Sequence, residues 1–152
     1  MSNTTAMANS FNLEVLGGTH VSADVYKIAL IKVGASGSYG ATQTNVGTPG
    51  SGTPSASNLG TDEVTGTGYT SGGATLAGYS ATETGGVARL DFTTPTWPSS
   101  TISATGAIIY NSSKSNKVVA VYDFGGTITS TAGTFTATMP AVGDSTSAIR
   151  IA

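Results

Sequence analysis

The sequence predicts an all-β protein: an antiparallel β-sandwich of about seven to eight strands, with either immunoglobulin-like or jelly-roll connectivity. Three observations lead to this prediction. Short runs rich in apolar and β-branched residues recur along the chain, Gly-, Ser- and Thr-rich turns separate them, and no segment shows the apolar repeat of an amphipathic helix. The two connectivities need the same alternation and differ only in strand order, so both remain open.

The chain divides into an arm and one domain. Residues 1–21 are mostly small and polar without a clear period, which is typical of a flexible N-terminal arm. Residues 22–152 are predicted to form a single β-sandwich domain, since a chain of 152 residues is the usual size for one core. Within that domain, residues 34–60 are rich in Gly, Ser, Thr, Asn and Pro, which predicts a long exposed loop.

The first predicted strand is Val25 to Val33, with the sequence VYKIALIKV. Its apolar residues lie on both alternation faces, as in an inner strand that is covered on two sides. In Val87 to Phe92, alternation places Ala88, Leu90 and Phe92 on a buried face. The remaining predicted strands are Ala74 to Tyr79, Thr101 to Tyr110, Val118 to Phe124, Gly133 to Met139 and Ala148 to Ile151.

The clearest hairpin pairs Ala107 to Tyr110 with Val118 to Phe124 through the polar segment NSSKSNK. Gly125 and Gly126 follow the second strand and are predicted to end it. Asp123, near that end, is expected to have a structural role, either by bonding the amides of these glycines or by pairing with Arg89.

Composition excludes several classes of function. Only 9% of residues are charged, the formal net charge is −2, and there is no cysteine. No cationic stripe exists to bind a nucleic acid, and disulfides and cysteine-based zinc sites are excluded. No run of apolar residues is long enough to cross a membrane, and Met1 to Ser10 has no signal-peptide pattern. These features predict a protein that is made in the cytoplasm and has no nucleic-acid or membrane partner.

Catalytic chemistry is not expected. The single histidine, His20, has Asp24 nearby in sequence, but no serine in a GxSxG setting accompanies it. Asp62 and Glu63 are adjacent, so on a strand they would face opposite ways and in a loop they would be solvated, which disfavours the paired carboxylates of a glycosidase. We therefore predict that the chain is not an enzyme and has no catalytic residues.

No cofactor or metal is predicted either. No EF-hand loop is present in the sequence. Calcium would need oxygen ligands from acids that lie in loops, for which the candidates are Asp62, Glu63, Asp123 and Asp144. The segment GTGYTSGGA from Gly66 lacks the Lys-Ser/Thr ending and the helix of a phosphate loop, so it is interpreted as tight turns around Tyr69.

An ordered series of short motifs resembles a family of small virion structural proteins of tailed bacteriophages. The series covers about Ser22 to Ile151 and consists of KIALIKV, DEVTGTGYTSGGATLAG, TGAIIYNSS, VVAVYDFGG and TFTATMPA. The resemblance implies a particle structural role, with capsid decoration (cement) as the expected form, on the outer surface of the virion capsid. The implied partners are the major capsid protein, copies of this chain in a dimer or trimer, or both.

Large aromatic side chains are the first candidates for contacts in such an assembly: Trp97, Tyr69, Phe11 and Tyr39. Trp97, between Pro95 and Pro98, has two equal interpretations, an exposed anchor or part of the core. A head- or tail-fibre module that binds a receptor or glycan is an alternative function, and a tail-tube subunit is another. The long loop departs from the compact form of the family, and it would cross a neighbour or project outward.

Overall fold

A computed structural model describes residues 2–139 and 149–151. These residues form eight strands and one α-helix, with short 3-10 turns at Gly60–Asp62 and Ser112–Lys114. The elements in chain order are β1 (Ala6–Met7), α1 (Asn9–Leu16), β2 (Tyr26–Lys32), β3 (Ala74–Thr75), β4 (Ser80–Thr84), β5 (Val87–Asp91), β6 (Thr96–Asn111), β7 (Lys117–Thr136) and β8 (Arg150–Ile151).

The strands form two antiparallel sheets. The larger sheet has the order β1-β7-β6-β2-β3, and the smaller has the order β4-β5-β8. The prediction of an antiparallel all-β sandwich with about eight strands is therefore confirmed. Two residues named in the predictions lie outside the described residues: Ala148, the first residue of the predicted strand Ala148 to Ile151, and the acid Asp144.

The centre of the larger sheet is buried on both faces. Residues 28–31 of β2, 107–109 of β6 and 118–121 of β7 are all fully buried. Consecutive apolar residues point to opposite faces of a strand, so a run without polar breaks requires cover on both sides. The expected inner strand and the expected hairpin are both present, with Ile108 opposite Val121.

Strand β7 continues well beyond the glycines that were expected to end it. Gly106 pairs with Asp123 and Ala104 pairs with Ile128, so residues 124–127 stand opposite the single residue Thr105. The glycines thus form a bulge, helped by Gly125 with its φ of +72°, and pairing with the long β6 resumes afterwards. The separately predicted strand Gly133 to Met139 is, as far as Thr136, the end of β7.

The smaller sheet differs in detail from its prediction. Leu90 and Phe92 are buried as expected, but Ala88 is exposed and Asp91 is buried. The predicted strand Ala74 to Tyr79 is reduced to β3, and β4, which was not predicted, pairs with β5.

The expectation of an unstructured arm was wrong for residues 2–21. Strand β1 pairs with β7, the Ala8 N–H donates to the Val119 carbonyl at 3.0 Å, and Phe11 of α1 is buried. The helix lacks a side-chain cap at Ala8 and has apolar residues on both its inner and outer sides, so it shows no single apolar stripe. The helix ends at Leu16, and just beyond it Gly18, with a φ of +69°, allows the Thr19 N–H to donate to the Glu14 carbonyl at 2.8 Å.

The segment 34–60 is not simply an exposed loop. Tyr39, Val46 and Leu59 are buried within it, and so is Gln43. The Val46 N–H donates to the Asn116 carbonyl at 3.0 Å, and the Leu59 N–H donates to the Val46 carbonyl at 2.8 Å. A few widely spaced apolar residues therefore attach this polar segment to the sandwich, which its average composition did not indicate.

Candidate interaction surface

Three of the four aromatic residues expected at an interface are buried inside the chain, and the fourth, Tyr69, is partly buried. Trp97 is only 5% exposed and packs between Tyr69 and Phe135, with ring centroids at 6.0 and 5.8 Å. Phe11 and Tyr39 are equally inaccessible, and Tyr69 is half-buried. The expectation of exposed anchors is corrected for Phe11 and Tyr39, which are buried, and for Trp97 the core interpretation holds. Tyr69 stays a candidate, because it is partly exposed.

Asp62 holds the beginning of the 34–60 segment. Its carboxylate accepts hydrogen bonds from the Ser36 N–H at 3.0 Å, the Gly37 N–H at 2.7 Å and the Tyr39 hydroxyl at 2.8 Å. Burial by itself raises the pKa of Asp62, but these hydrogen bonds to the charged form outweigh it, so the pKa lies below its usual value. Burial and the adjacent Asp62 also raise the pKa of Tyr39.

Glu63 holds a different turn. Glu63 is 2% exposed, and its carboxylate accepts hydrogen bonds from the Tyr69 hydroxyl and the Ser71 hydroxyl, both at 2.8 Å, and from the Gly72 N–H at 2.6 Å. The Tyr69 hydroxyl also accepts from the Leu30 N–H at 3.0 Å, which ties the turn to β2. Both acids are buried rather than solvated, and each serves its own turn, so they do not form a catalytic pair.

His20 is also committed to the fold. Its side chain is 2% exposed, with Nε2 at 2.8 Å from the Glu14 carboxylate and Nδ1 at 2.9 Å from the Asn111 amide. Glu14 in turn pairs with Lys117 at 2.7 Å, and the Asn111 amide donates to Asp24 at 2.7 Å. The cluster fastens α1 to the turn end of the β6–β7 hairpin, and its geometry presents no accessible nitrogen as a general base.

Asp123 and Arg89, the two polar residues expected to be structural, are not brought together. The Asp123 carboxylate accepts from the Gly125 N–H at 3.2 Å, which is one of the two contacts considered for it. Arg89 forms no ion pair with any carboxylate of the described residues. Arg89 instead lies on β5 beneath α1, and its buried Nε has no hydrogen-bond partner among the residues that the structure describes.

Two kinds of feature are absent from the residues that the structure describes. No three His, Asp or Glu side chains among them are grouped as metal ligands would be. No helix among them has the length and apolar character needed to span a membrane.

The outer side of α1 carries the most exposed large apolar residues that the structure describes. Leu13 is 74% exposed and Leu16 is 87% exposed, while Val15 is partly exposed beside them. Leu13 and Leu16 are three residues apart and therefore share one helix face. We call Leu13, Val15 and Leu16 the α1 surface; the signal for it was the apolar LEVL run in a segment assigned to a polar arm.

A small pocket lies beside the α1 surface, between the helix and the smaller sheet. We call this cavity of about 130 Å³ the α1 pocket. Phe11 and Val15 of the helix line one side, and Leu90, Arg89 and Arg150 line the other. Its lining is mostly apolar, with two guanidinium groups added.

One edge of the larger sheet is open over much of its length. Strand β1 covers β7 only at Ala120 and Val121, and the Thr44 carbonyl and Asn45 approach its first residues. From Phe124 to Thr136, β7 contains no charged residue, and most of its side chains are exposed. We call this stretch of strand the β7 edge.

The chain matches no known protein-family model, no curated protein and no solved structure in the comparisons. Its function is therefore proposed from composition, from the motifs and from the surfaces described above.

Proposed function

We propose that the chain is a non-enzymatic structural protein of a tailed bacteriophage particle, namely a decoration (cement) protein on the outer capsid lattice. The observation that carries this proposal is the α1 surface, where Leu13 and Leu16 are exposed to solvent on a helix whose Phe11 is buried in the core. The resemblance of the motif series to small virion proteins supports the choice of particle.

The exposure of Leu13 and Leu16 favours a partner. Burying one such side chain contributes about 1.5–3 kcal/mol, which corresponds to roughly a tenfold to hundredfold gain in affinity. The helix does not need them for its own packing, because Phe11 supplies the inward contact. Adjacent exposed apolar residues on a rigid element are typical of a protein–protein contact.

Charge distribution supports repeated association. Several of the few charged groups form ion pairs within the chain, such as Glu14 with Lys117 and Asp62 with Lys32. The remaining surface is largely neutral, so copies of the chain and a capsid lattice meet little long-range repulsion. On a lattice, each weak contact is repeated by symmetry, and the buried area adds to the area that must be separated before the shell opens.

The test is reconstitution on purified shells that lack this protein. We expect the chain to bind in lattice-wide stoichiometry and to raise the temperature at which the shells open. The double variant Leu13→Ala/Leu16→Ala is expected to bind at least about tenfold more weakly. The matched control Val33→Ala/Ile128→Ala removes two apolar side chains that are exposed elsewhere and is expected to bind normally. Unchanged shell stability, or equal binding by both double variants, would contradict the proposal.

A tail-tube subunit is the second candidate, and the β7 edge favours it. An uncharged strand edge can continue a sheet into the next copy, which would close a ring of subunits. Electron microscopy of particles labelled with an antibody against the chain separates the candidates. Label over the whole capsid supports decoration, label along the tail supports the tube, and label only at fibre tips supports a receptor-binding module.

A further inference from the structure

We propose that two copies of the chain associate through the β7 edge, as antiparallel strands related by a two-fold axis that passes between the two Thr129 residues. In this pairing, Thr129 lies opposite its equivalent and Thr127 lies opposite Thr131 of the second copy. The inference goes beyond the proposed function, because it concerns contact between two copies rather than contact with a shell. It can be tested on the isolated chain.

The outer side of β7 is covered only in the first part of the strand. Strand β1 pairs with Ala120 and Val121, and the Asp123 N–H donates to the Thr5 hydroxyl at 3.0 Å. Beyond Asp123, β6 is the only strand that pairs with β7 in the part of the chain that the structure describes. An edge strand exposes backbone N–H and C=O groups that can bond to a further strand. The β7 edge thus offers a second strand a row of backbone donors and acceptors.

The other edges of the two sheets are less suited to pairing with another copy. The edge strands β1, β3 and β8 are each two residues long. Strand β4 is longer, but it carries the exposed Glu83, and a charge on an edge opposes pairing between identical strands. The β7 edge extends from Phe124 to Thr136 without a charged residue. Two copies can therefore meet there without repulsion between like charges.

Two irregularities in the pairing of β6 with β7 limit the flat part of this edge. The glycine bulge occupies residues 124–127, and further along Thr131 and Ala132 stand opposite the single residue Thr101, with Ala132 at a φ of +48°. A bulge bends and twists its strand, which interrupts pairing along an edge. Between the bulges, residues 128–130 pair regularly with β6. The flat stretch is therefore centred on Thr129, and a symmetric pair of copies shares that centre.

The side chains of this stretch are complementary to a second copy. Thr127, Thr129 and Thr131 alternate with other residues along the strand, which places them on one face, and all three are exposed. Pairing about Thr129 sets threonines opposite threonines, and hydrogen bonds between such pairs stabilise antiparallel strands. A contact of this kind already exists within the chain, since the hydroxyls of Thr129 and Ser103 are 2.8 Å apart across β6 and β7.

The first experiment is disulfide crosslinking, which is unambiguous because the chain has no cysteine. We expect Thr129→Cys to form a crosslinked dimer on mild oxidation, since opposed residues of antiparallel strands have Cα atoms about 4.5–5.5 Å apart, within the disulfide range. Thr127→Cys should crosslink at least about tenfold more slowly, because its equivalent lies about 13 Å away. Thr82→Cys on the exposed strand β4 is the matched control and should be equally slow. Circular dichroism shows whether each variant is folded.

Sedimentation equilibrium measures the association itself. One short pair of strands buries less than the roughly 1,600 Å² of a standard interface, so we expect a weak dimer that is populated at about 1 mM. Thr129→Lys sets two like charges opposite each other and is expected to weaken the dimer at least about tenfold. Thr82→Lys adds the same charge elsewhere and is expected to associate like the natural chain.

The inference is overturned if no dimer forms at about 1 mM, if Thr129→Cys crosslinks no faster than Thr82→Cys, or if Thr129→Lys associates as well as the natural chain. A closed ring of more than two copies also contradicts it and favours the tail-tube subunit. Because these measurements use no particle, a negative result leaves decoration of the shell standing. Failure of the chain to bind shells likewise leaves a positive dimer result standing.

Discussion

At the scale of single residues, two adjacent acids organise the long connection between β2 and β3. Asp62 accepts donors from residues 36–39, while Glu63 accepts donors from residues 69–72. A buried carboxylate costs a large desolvation free energy unless several donors satisfy it, and here each acid has at least three. Their burial could not be predicted from adjacency, because the donors come from separate stretches of chain.

Replacing Glu63 with Ala is expected to lower the free energy of unfolding by about 3 kcal/mol or more. The change leaves the Tyr69 hydroxyl and the Gly72 N–H without their charged acceptor, and hydrogen bonds to charged groups contribute about 1.5–3 kcal/mol each. Urea denaturation measures the effect. Glu83→Ala is the matched control, since exposed Glu83 makes only a local bond to the Gly86 N–H, and a change of less than about 1 kcal/mol is expected. Equal losses in the two variants would refute a special role for Glu63.

The lowered pKa of Asp62 predicts a stability difference that depends on pH. A carboxyl with a lower pKa in the folded than in the unfolded chain stabilises the fold above its usual pKa of about 3.8, and this contribution disappears as the pH falls through the folded value. Asp62→Asn should therefore be clearly less stable than the natural chain at pH 7, and the difference should shrink below about pH 3.8. Urea denaturation at pH 7 and pH 2.5 provides the comparison, and a constant difference would show that the charge of Asp62 is not responsible.

At the scale of elements, helix α1 shows how one short segment divides its apolar residues between fold and surface. Phe11 packs inward against His20, with ring centroids 4.8 Å apart, whereas Leu13 and Leu16 point away from the sheets. Such a distribution gives no single apolar stripe, so the sequence showed no helical period. Tertiary contacts of Phe11 and the Glu14–Lys117 ion pair stabilise the helix instead.

The division within α1 can be measured by substitution. Phe11→Ala should lower the free energy of unfolding by about 3–5 kcal/mol, because it removes a buried aromatic ring and leaves a cavity. Leu13→Ala/Leu16→Ala should change it by less than about 1 kcal/mol, since neither side chain is buried. Thermal unfolding monitored by circular dichroism distinguishes the two. A large loss in the double variant would mean that the leucines support the fold, and the α1 surface would then lose its status as a docking surface.

At the scale of the whole molecule, the polar segment 34–60 is integrated into the sandwich. Its backbone bonds reach the turn of the β6–β7 hairpin through the Asn116 carbonyl, and Asn116 donates to the Gly47 carbonyl at 3.0 Å in return. Positions far apart in sequence are thus joined by a few hydrogen bonds and by the burial of Val46 and Leu59.

Hydrogen exchange tests this integration directly. The amides of Val46 and Leu59 are expected to exchange at least about a hundredfold more slowly than unstructured amides, because each is hydrogen-bonded in a buried setting. The amide of Ala56, in an exposed turn of the same segment, is the internal control and should exchange quickly. Fast exchange at all three positions would indicate that the segment opens independently of the sandwich.

The sequence by itself determined the all-β class, the inner strand β2 and the β6–β7 hairpin, because alternation and uninterrupted apolar runs are local properties of a strand. Only the tertiary structure decided where Trp97 and Tyr39 lie, since their burial depends on which distant segments cover them. The same reason applies to the open α1 surface and to the open β7 edge. The local sequence does not specify which residue of another strand a given residue pairs with. It also does not specify which face of a helix stays exposed to solvent.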